Sequence, residues 1–372
     1  MRRLAGDFNV SALGSSPRLH ERFLAEGFEY RAYHLSRKAN PLSDLLTFGQ
    51  VLFMLRRLEP EIVHTFDTKP GVWVRLAARL AGVPIVIGTL PGLGSLYASE
   101  ALTTRLIRFV YERLQTFACR VSDLTIFQNH DDAHQFVTSG VVSQEKTAVI
   151  LGSGVATDLY APAAVSESER DQLQRELGIP ADATVVSMVG RVIRSKGVLE
   201  YMAAAQEVRA RNSKVHFLLI GAHDHESLDR LSSEELTQLR QALTWPGPRN
   251  DIPCVLALSD IFVFPSAYRE GVPRVLLEAA SMGLPIVTTD SSGCREVVEN
   301  EVNGYLVPVH DPVALSGAIF RLVEQPELRR RFGRFSRQRA IARFDISIVA
   351  EQTRALYQQL LAIKARSLST EV

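Results

Sequence analysis

Apolar and polar positions along the chain alternate in two rhythms. Short apolar runs predict strands at Asn9–Leu13, Tyr30–Tyr33, Ile62–Thr65, Ile85–Thr89, Leu124–Phe127 and Ala148–Leu151. Longer runs with apolar residues three and four apart lie between them. Leu42, Leu45, Leu46, Val51, Leu52 and Leu55 mark a helix over Pro41–Leu58, and Gly71–Leu80 reads as a compact helix closed by Gly82-Val83-Pro84. The second half repeats the rhythm, with strands at Val185–Val189, Val215–Ile220, Ile261–Phe264, Ile286–Thr288 and Gly304–Val307 and helices at Val198–Arg211 and Pro273–Met282. A long final helix runs over Ile346–Ala365. Such alternation builds parallel α/β sheets, because parallel neighbours need a crossover long enough to hold a helix.

Between the halves, Asp158–Arg170 carries Pro162, Ser166 and Ser168 and reads as a linker, which places a boundary near Ala163. The expected organisation is a Rossmann-like domain over residues 1–162, a second over residues 163–345 and a terminal helix over residues 346–372. A length of 372 residues suits two domains.

Composition narrows the class. With 46% hydrophobic residues, 22% charged residues and a net charge of +1, the chain is neither disordered nor coiled-coil, and its neutral balance argues against a nucleic-acid partner. Cys119, Cys254 and Cys294 form no CxxC pair and the first residues show no signal-peptide pattern, so a cytoplasmic setting is expected. The most apolar stretch, Gly82–Ala98, is interrupted by glycines and prolines and is shorter than the ~20 residues a membrane span needs. Two basic segments bear on a membrane surface. Leu102, Leu106, Phe109, Val110, Leu114 and Phe117 share one helix face beside Arg105, Arg108, Arg113 and Arg120, a pattern that reads first as a helix packed on a core and second as one that docks on lipid. Arg321–Arg343 holds 8 Arg and 2 Glu and reads first as a solvated face.

Chemistry concentrates at two strand ends of the second half. After Ile261–Phe264 comes a loop in which Glu270 precedes Gly271-Val272-Pro273 and a helix carrying Glu278. Backbone N–H groups at a helix start bind phosphate or sugar oxygens, and two carboxylates beside them suit hydrogen bonds to a polyol. After Val185–Val189 come Gly190, Arg191, Lys196 and Gly197. One guanidinium fork and one ammonium on a short loop at a strand's carboxyl end suit a diphosphate, and the spacing differs from that of a P-loop. His130 and His134 have no third ligand that would complete a metal site.

These residues resemble the C-terminal half of retaining GT-B glycosyltransferases of family four: Gly190-Arg191 with Lys196-Gly197, Glu270-Gly271-Val272-Pro273, Leu277-Glu278-Ala279, and Asp290 to Glu296 followed by Asn303-Gly304. The resemblance implies two Rossmann-like domains facing across a cleft. It implies that Arg191 and Lys196 grip the diphosphate of a nucleotide-sugar donor, that Glu270 contacts the donor sugar and that Glu278 binds ribose. It further implies front-face transfer with retention and no metal or other cofactor. In the first half, Glu61-Ile62-Val63-His64 with Lys69 resembles the acceptor domain, and Gly92-Leu93-Gly94 resembles a loop of members that act on polyprenyl-diphosphate-linked sugars. His64, Lys69, Gly92 and Gly94 are therefore the acceptor-side candidates, although a hydrogen-bonded core role is the first reading of His64. Met1–Gly6 resembles the end of the family's first helix, so the first strand is expected to be missing.

The expected activity is transfer of a sugar from a UDP-sugar to a glycan or lipid-linked acceptor in bacterial surface polysaccharide synthesis, at or near the inner membrane surface. A sugar-nucleotide 2-epimerase of the same fold and an inactive, binding-only relative are the alternatives.

Overall fold

The computed structural model describes residues 1–17, 19–35, 41–66, 68–97 and 102–370. The chain divides into two units, residues 1–150 with 347–372, and residues 151–346.

The first unit runs β1 (Ala12–Gly14), α1 (Leu19–Ala25), β2 (Tyr30–Ala32), α2 (Pro41–Leu58), β3 (Ile62–Phe66), α3 (Thr68–Leu80), β4 (Ile85–Leu90), α4 (Leu102–Val121), β5 (Leu124–Phe127), α5 (His130–Thr138) and β6 (Thr147–Val149). Residues 1–8 form turns, so the first strand begins at Ala12 and not at Asn9. β1 and β2 pair in parallel as a two-stranded sheet, with Ala12 opposite Tyr30. β3, β4, β5 and β6 form a parallel sheet in chain order, with Ile62 opposite Ile85 and Ile87 opposite Leu124. One cluster joins Ile85, Ile87 and Ile126 to Val349, Leu356 and Leu360 of the terminal helix. Another joins Val63 and Val86 to Val51 and Leu55 of α2 and to Val74, Ala77 and Ala78 of α3.

The second unit runs α6 (Glu167–Glu176), β7 (Thr184–Val189), α7 (Val198–Arg211), β8 (Val215–Ile220), α8 (Ser233–Ala242), β9 (Thr244–Gly247), α9 (Ile252–Leu258), β10 (Ile261–Phe264), α10 (Arg274–Ser281), β11 (Ile286–Thr289), α11 (Ser292–Val297), β12 (Gly304–Val307), α12 (Pro312–Glu324) and α13 (Pro326–Arg339). A π-helical turn at Ala340–Phe344 leads into α14 (Ile346–Thr370). The sheet order is β12-β11-β10-β7-β8-β9, all parallel. Its inner strands β7, β8, β10 and β11 are buried on both faces, which is why they read as nearly continuous apolar runs.

The expected linker belongs to this second unit. Tyr160 is buried with Leu173 and Val185, and Arg337 donates to the carbonyls of Thr157 and Tyr160 at 2.7 and 2.9 Å. Ser166 and Glu169 form a capping box that starts α6. The polar composition of Asp158–Arg170 thus reflects helix capping rather than free chain, and the units change at Leu151 instead of Ala163.

Helix α4 reverses the first reading of its pattern. Its apolar stripe faces solvent, with Leu102 81% and Leu106 65% exposed, while Gln115 on the opposite side is fully buried. The buried side is polar by necessity: the fully buried Arg75 of α3 donates to Gln115 Oε1 and to the Gly71 carbonyl, and Glu112 accepts from Tyr97 at 2.7 Å. A buried guanidinium needs acceptors, and α4 supplies one from the side that faces the sheet.

Candidate active site

The carboxyl edge of the second sheet gathers the donor-side candidates. β7 and β10 are neighbours, so the loops that follow them, carrying Gly190 to Gly197 and Glu270 to Pro273, emerge side by side. The two loops are joined by backbone: Ala267 and Tyr268 donate their N–H groups to the Ser195 carbonyl at 2.9 and 3.0 Å. Gly197 has a φ of +76°, and a Cβ there would lie 2.0 Å from the Pro265 carbonyl oxygen. Only glycine allows this approach, because a side chain would meet both the wrong dihedral and a fixed backbone atom. On the other flank, a Cβ at Gly293 would lie 2.0 Å from the Gly271 oxygen, so the start of α11 presses on the Glu270-Gly271 turn.

Lys196 and Glu270 meet at the centre. The Lys196 Nζ bonds the Glu270 carboxylate, and the same Oε1 lies 3.5 Å from Ser266 Oγ. The ammonium sits 4.9 Å from the Tyr268 ring centre and 5.4 Å from that of Phe264. Both charged side chains are largely buried. Such a pair persists only where the charges compensate each other, because desolvating one alone costs several kcal/mol (on the order of 3–5 when a partner is removed). Arg191 engages another carboxylate, Asp224, at 3.0 Å, and remains half exposed. Each cation of the expected diphosphate grip is therefore held by an acid, and the two acids differ.

Glu278 lies in the second turn of α10, nearly buried, with its Oε1 2.9 Å from Arg274 Nε. Burial pushes its carboxyl pKa upward, opposed by Arg274 and by a hydrogen bond from Tyr160. Burial, and then the Glu278 charge, push the Tyr160 phenol up to about 12. Val272 is buried against Gly152, and Pro273 forms the N-cap of α10, one position before the helix begins.

Several participants were not legible as such in the sequence. Asp224 follows β8 in the run His223-Asp224-His225, and its reach to Arg191 depends on β8 lying next to β7. Burial and the neighbouring His225 push the His223 pKa down. Asp229 accepts from the Ser195 N–H at 3.0 Å and so braces the loop that carries Lys196. Tyr268 and Ser266 were visible within the segment but carried no distinguishing signal.

The acceptor-side candidates lie in the other unit. His64 is not available to a ligand: Nδ1 bonds Tyr357 Oη at 2.6 Å, Nε2 bonds Thr89 Oγ1 at 2.7 Å and Phe66 stacks on the ring at 4.2 Å. Burial lowers its pKa from 6.5 to about 3, so the ring is neutral and ties α14 to β3 and β4. Gly92 and Gly94 lie in the loop after β4, anchored by buried Leu93. Lys69 falls within α3, and its side chain lies outside the described residues. Among the described residues, no group of three or more His, Cys, Asp or Glu side chains is placed to hold a metal ion, and no helix is long and apolar enough to cross a membrane.

The profile of glycosyl transferases group 1 matches residues 169–339, and that of the glycosyl transferase 4-like domain matches residues 1–152. Over 296 residues, covering 79% of this chain and 74% of that protein, the sequence is 31% identical to the Escherichia coli UDP-Gal:alpha-D-GlcNAc-diphosphoundecaprenol alpha-1,3-galactosyltransferase. The chain belongs to the glycosyltransferases. This transferase is also 29% identical to the Campylobacter jejuni N,N'-diacetylbacillosaminyl-diphospho-undecaprenol alpha-1,3-N-acetylgalactosaminyltransferase, over 90% of this chain and 87% of that protein. Among solved structures, the Anabaena protein Alr3699/HepE in complex with UDP superposes with a TM-score of 0.78 at 21% identity, covering 96% of the transferase and 94% of that chain. A glycosyltransferase from Rickettsia africae gives the same TM-score at 17% identity, covering 94% and 90% of the two chains. The fold class is the GT-B class that the resemblance implied, with parallel α/β sheets in two units.

Proposed function

We propose that the transferase moves a hexosyl group from a UDP-sugar to an acceptor carried on a polyprenyl diphosphate, with retention of anomeric configuration, on the cytoplasmic side of a bacterial membrane during surface polysaccharide synthesis. The observation that carries this reading is the Lys196–Glu270 pair at the carboxyl edge of neighbouring strands β7 and β10. Open parallel sheets bind ligands at this edge. Support comes from the relatives: the Escherichia coli protein is named for UDP-Gal and a diphosphoundecaprenol acceptor, and the Anabaena structure holds UDP.

In this reading the donor diphosphate takes the place of the Glu270 carboxylate at Lys196, and Glu270 turns to the donor sugar's hydroxyls. Arg191 leaves Asp224 for the second phosphate, and the N-terminus of α10 adds its partial positive charge. Glu278, already desolvated, accepts from the ribose hydroxyls. The bond between the anomeric carbon and the diphosphate oxygen breaks, and the acceptor hydroxyl oxygen bonds to that carbon from the same face. The hydroxyl proton passes to the leaving phosphate oxygen. Charge develops on the leaving group, so fixed cations aimed at it lower the barrier by about 2.7–4 kcal/mol per donor group. These cations supply the charge without a metal.

The test is transfer from a panel of UDP-sugars to a polyprenyl-diphosphate-linked amino sugar, with product linkage read by nuclear magnetic resonance. Calorimetric titration with UDP runs beside it. An α-linked product formed in the presence of EDTA, together with UDP binding that Lys196→Ala weakens about tenfold or more, is the expected result. Epimerised donor without transfer, or UDP binding without turnover of any kind, would overturn it.

A further inference from the structure

The loop that carries Lys196 takes its cap from another loop. After β7 the chain stays beside β8 for a short distance, as the Gly190 and Val192 N–H groups donate to the Ile220 and Ala222 carbonyls at 2.9 Å each. It then makes a single 3-10 turn over Arg194–Lys196, with Ile193 at the N-cap position. The first N–H groups of a helical turn have no partner within it, and an Asp, Asn, Ser or Thr at the N-cap usually supplies the acceptor. Isoleucine has no such group to offer. Asp229, 34 residues beyond Ser195, supplies it instead: its carbonyl accepts from the Arg194 N–H and its Oδ2 from the Ser195 N–H, each at 3.0 Å.

The same turn is held from the β10 side. The Ser195 carbonyl accepts from the Ala267 and Tyr268 N–H groups and, at 3.3 Å, from Ser266 Oγ. Both peptide groups of Ser195 are thus fixed, one by Asp229 and one by the loop after β10, and the next residue is Lys196. Asp229 is itself anchored. Its N–H donates to Ser227 Oγ at 3.3 Å, Leu231 two residues on is buried in the core, and the Arg194 guanidinium bonds Glu235 at 2.6 Å in the first turn of α8. Glu235 also accepts from the Ser232 N–H at 2.7 Å, so the cap of α8 and the cap of the Lys196 turn share one framework.

Three cations stand on this loop, and each has an acid of its own: Asp224 for Arg191, Glu235 for Arg194 and Glu270 for Lys196. Asp229 differs, since its carboxylate serves the backbone, and its second oxygen, Oδ1, is buried and bonds nothing among the described residues. A buried acceptor left idle costs stability, so stability alone does not account for an acid here. We propose that Asp229 is a positioning residue, which acts through the Ser195 peptide to set the point from which the Lys196 ammonium meets the donor diphosphate. That meeting rests on the proposed function; the placing of Lys196 does not. An ammonium on a flexible four-carbon stem is only as well placed as the backbone beneath it, and a displacement of about 1 Å costs on the order of 10²-fold in rate.

The experiment measures transfer from a UDP-sugar, and UDP affinity, in Asp229→Ala, Asp229→Asn, Lys196→Ala and the double variant Asp229→Ala/Lys196→Ala. Asp229→Ala is expected to lower kcat/KM about tenfold or more, whereas Asp229→Asn, which keeps an oxygen for the Ser195 N–H, stays within about threefold of wild type. On the Lys196→Ala background, Asp229→Ala is expected to add less than about twofold, because its effect runs through the ammonium. Equal losses on both backgrounds, or a loss in Asp229→Asn as large as in Asp229→Ala, overturn the proposal and leave Asp229 a stabilising residue only. A second readout needs no donor. The chain has six lysines, so protein labelled with carbon-13 at lysine Cε gives six signals, and the one missing from Lys196→Arg belongs to Lys196. That signal is expected to move in Asp229→Ala and to keep its place in Asp229→Asn; a signal unmoved in both overturns the proposal. Should Asp229→Ala fail to fold, Asp229→Glu displaces the acceptor by one methylene and is read by the same criteria. The expected movement of the Lys196 signal, with no UDP binding and no transfer in the wild type, would leave the positioning in place and sink the proposed function alone.

Discussion

Helices α4 and α10 both follow a strand of a parallel sheet through a loop at its carboxyl edge, yet they treat their apolar residues in opposite ways. In α10, Leu276, Leu277, Ala279 and Ala280 are buried and Arg274 faces solvent; in α4, leucines and phenylalanines face solvent and Gln115 is buried. The difference lies in what each helix meets. α10 rests on an apolar cluster with Val185, Phe262 and Ile286. α4 meets a buried guanidinium, and the acceptor that Arg75 requires has to come from the helix itself. Periodicity therefore identifies which residues share a face, while the neighbour decides which face turns inward.

The comparison is most exposed to a pair of matched truncations. Leu277→Ala should cost about 3–5 kcal/mol in urea unfolding, since a fully buried side chain leaves a cavity. Leu106→Ala should stay within about 0.5 kcal/mol, and equal losses at the two sites would break the contrast. Lys196→Ala should lower transfer by about 10²-fold or more, and activity kept at the wild-type level would show that the pair beside α10 does not serve the chemistry. Gln115→Ala should cost about 1–3 kcal/mol because it withdraws an acceptor from Arg75; a neutral outcome would show that the polar inner face of α4 is not what orients it.

A pH dependence within the first unit closes the series. His64 titrates near 3 when folded and near 6.5 when unfolded, so as pH falls below about 6.5 the unfolded chain takes up a proton that the folded chain refuses. Stability contributed by the neutral ring is full above that pH and declines toward pH 3 by up to about 1.4 kcal/mol per unit. Thermal unfolding from pH 7 to pH 4 should show this slope, and His64→Gln should flatten it. An unchanged slope in the variant would place the titration elsewhere.

Much of the candidate site was legible in advance because it is local. Gly190 to Gly197 and Glu270 to Pro273 each lie within a few residues of a strand end, and a parallel sheet sends all such ends to one edge. The terminal helix and eleven of the described strands, all but β9, were legible for a similar reason, since short apolar runs between helices have few other uses. Short elements with weak patterns, such as β9 and α6, escaped notice. The run His223-Asp224-His225 stood out as polar residues after a strand end, but the pairing of Asp224 with Arg191, like that of Asp229 with Ser195, escaped because the partners lie 33 and 34 residues away in the chain.

The sequence by itself determined the alternation that makes parallel sheets, the residues that fall at the strand ends of β7 and β10 and the family to which the chain belongs. Tertiary structure decided that Lys196 is held by Glu270 and Arg191 by Asp224, that His64 serves the core and that the apolar stripes of α2 and α4 face outward. Each of these depends on which strands become neighbours and on what lies beneath a helix. Those are contacts between residues distant in the chain, and local propensity has no term for them.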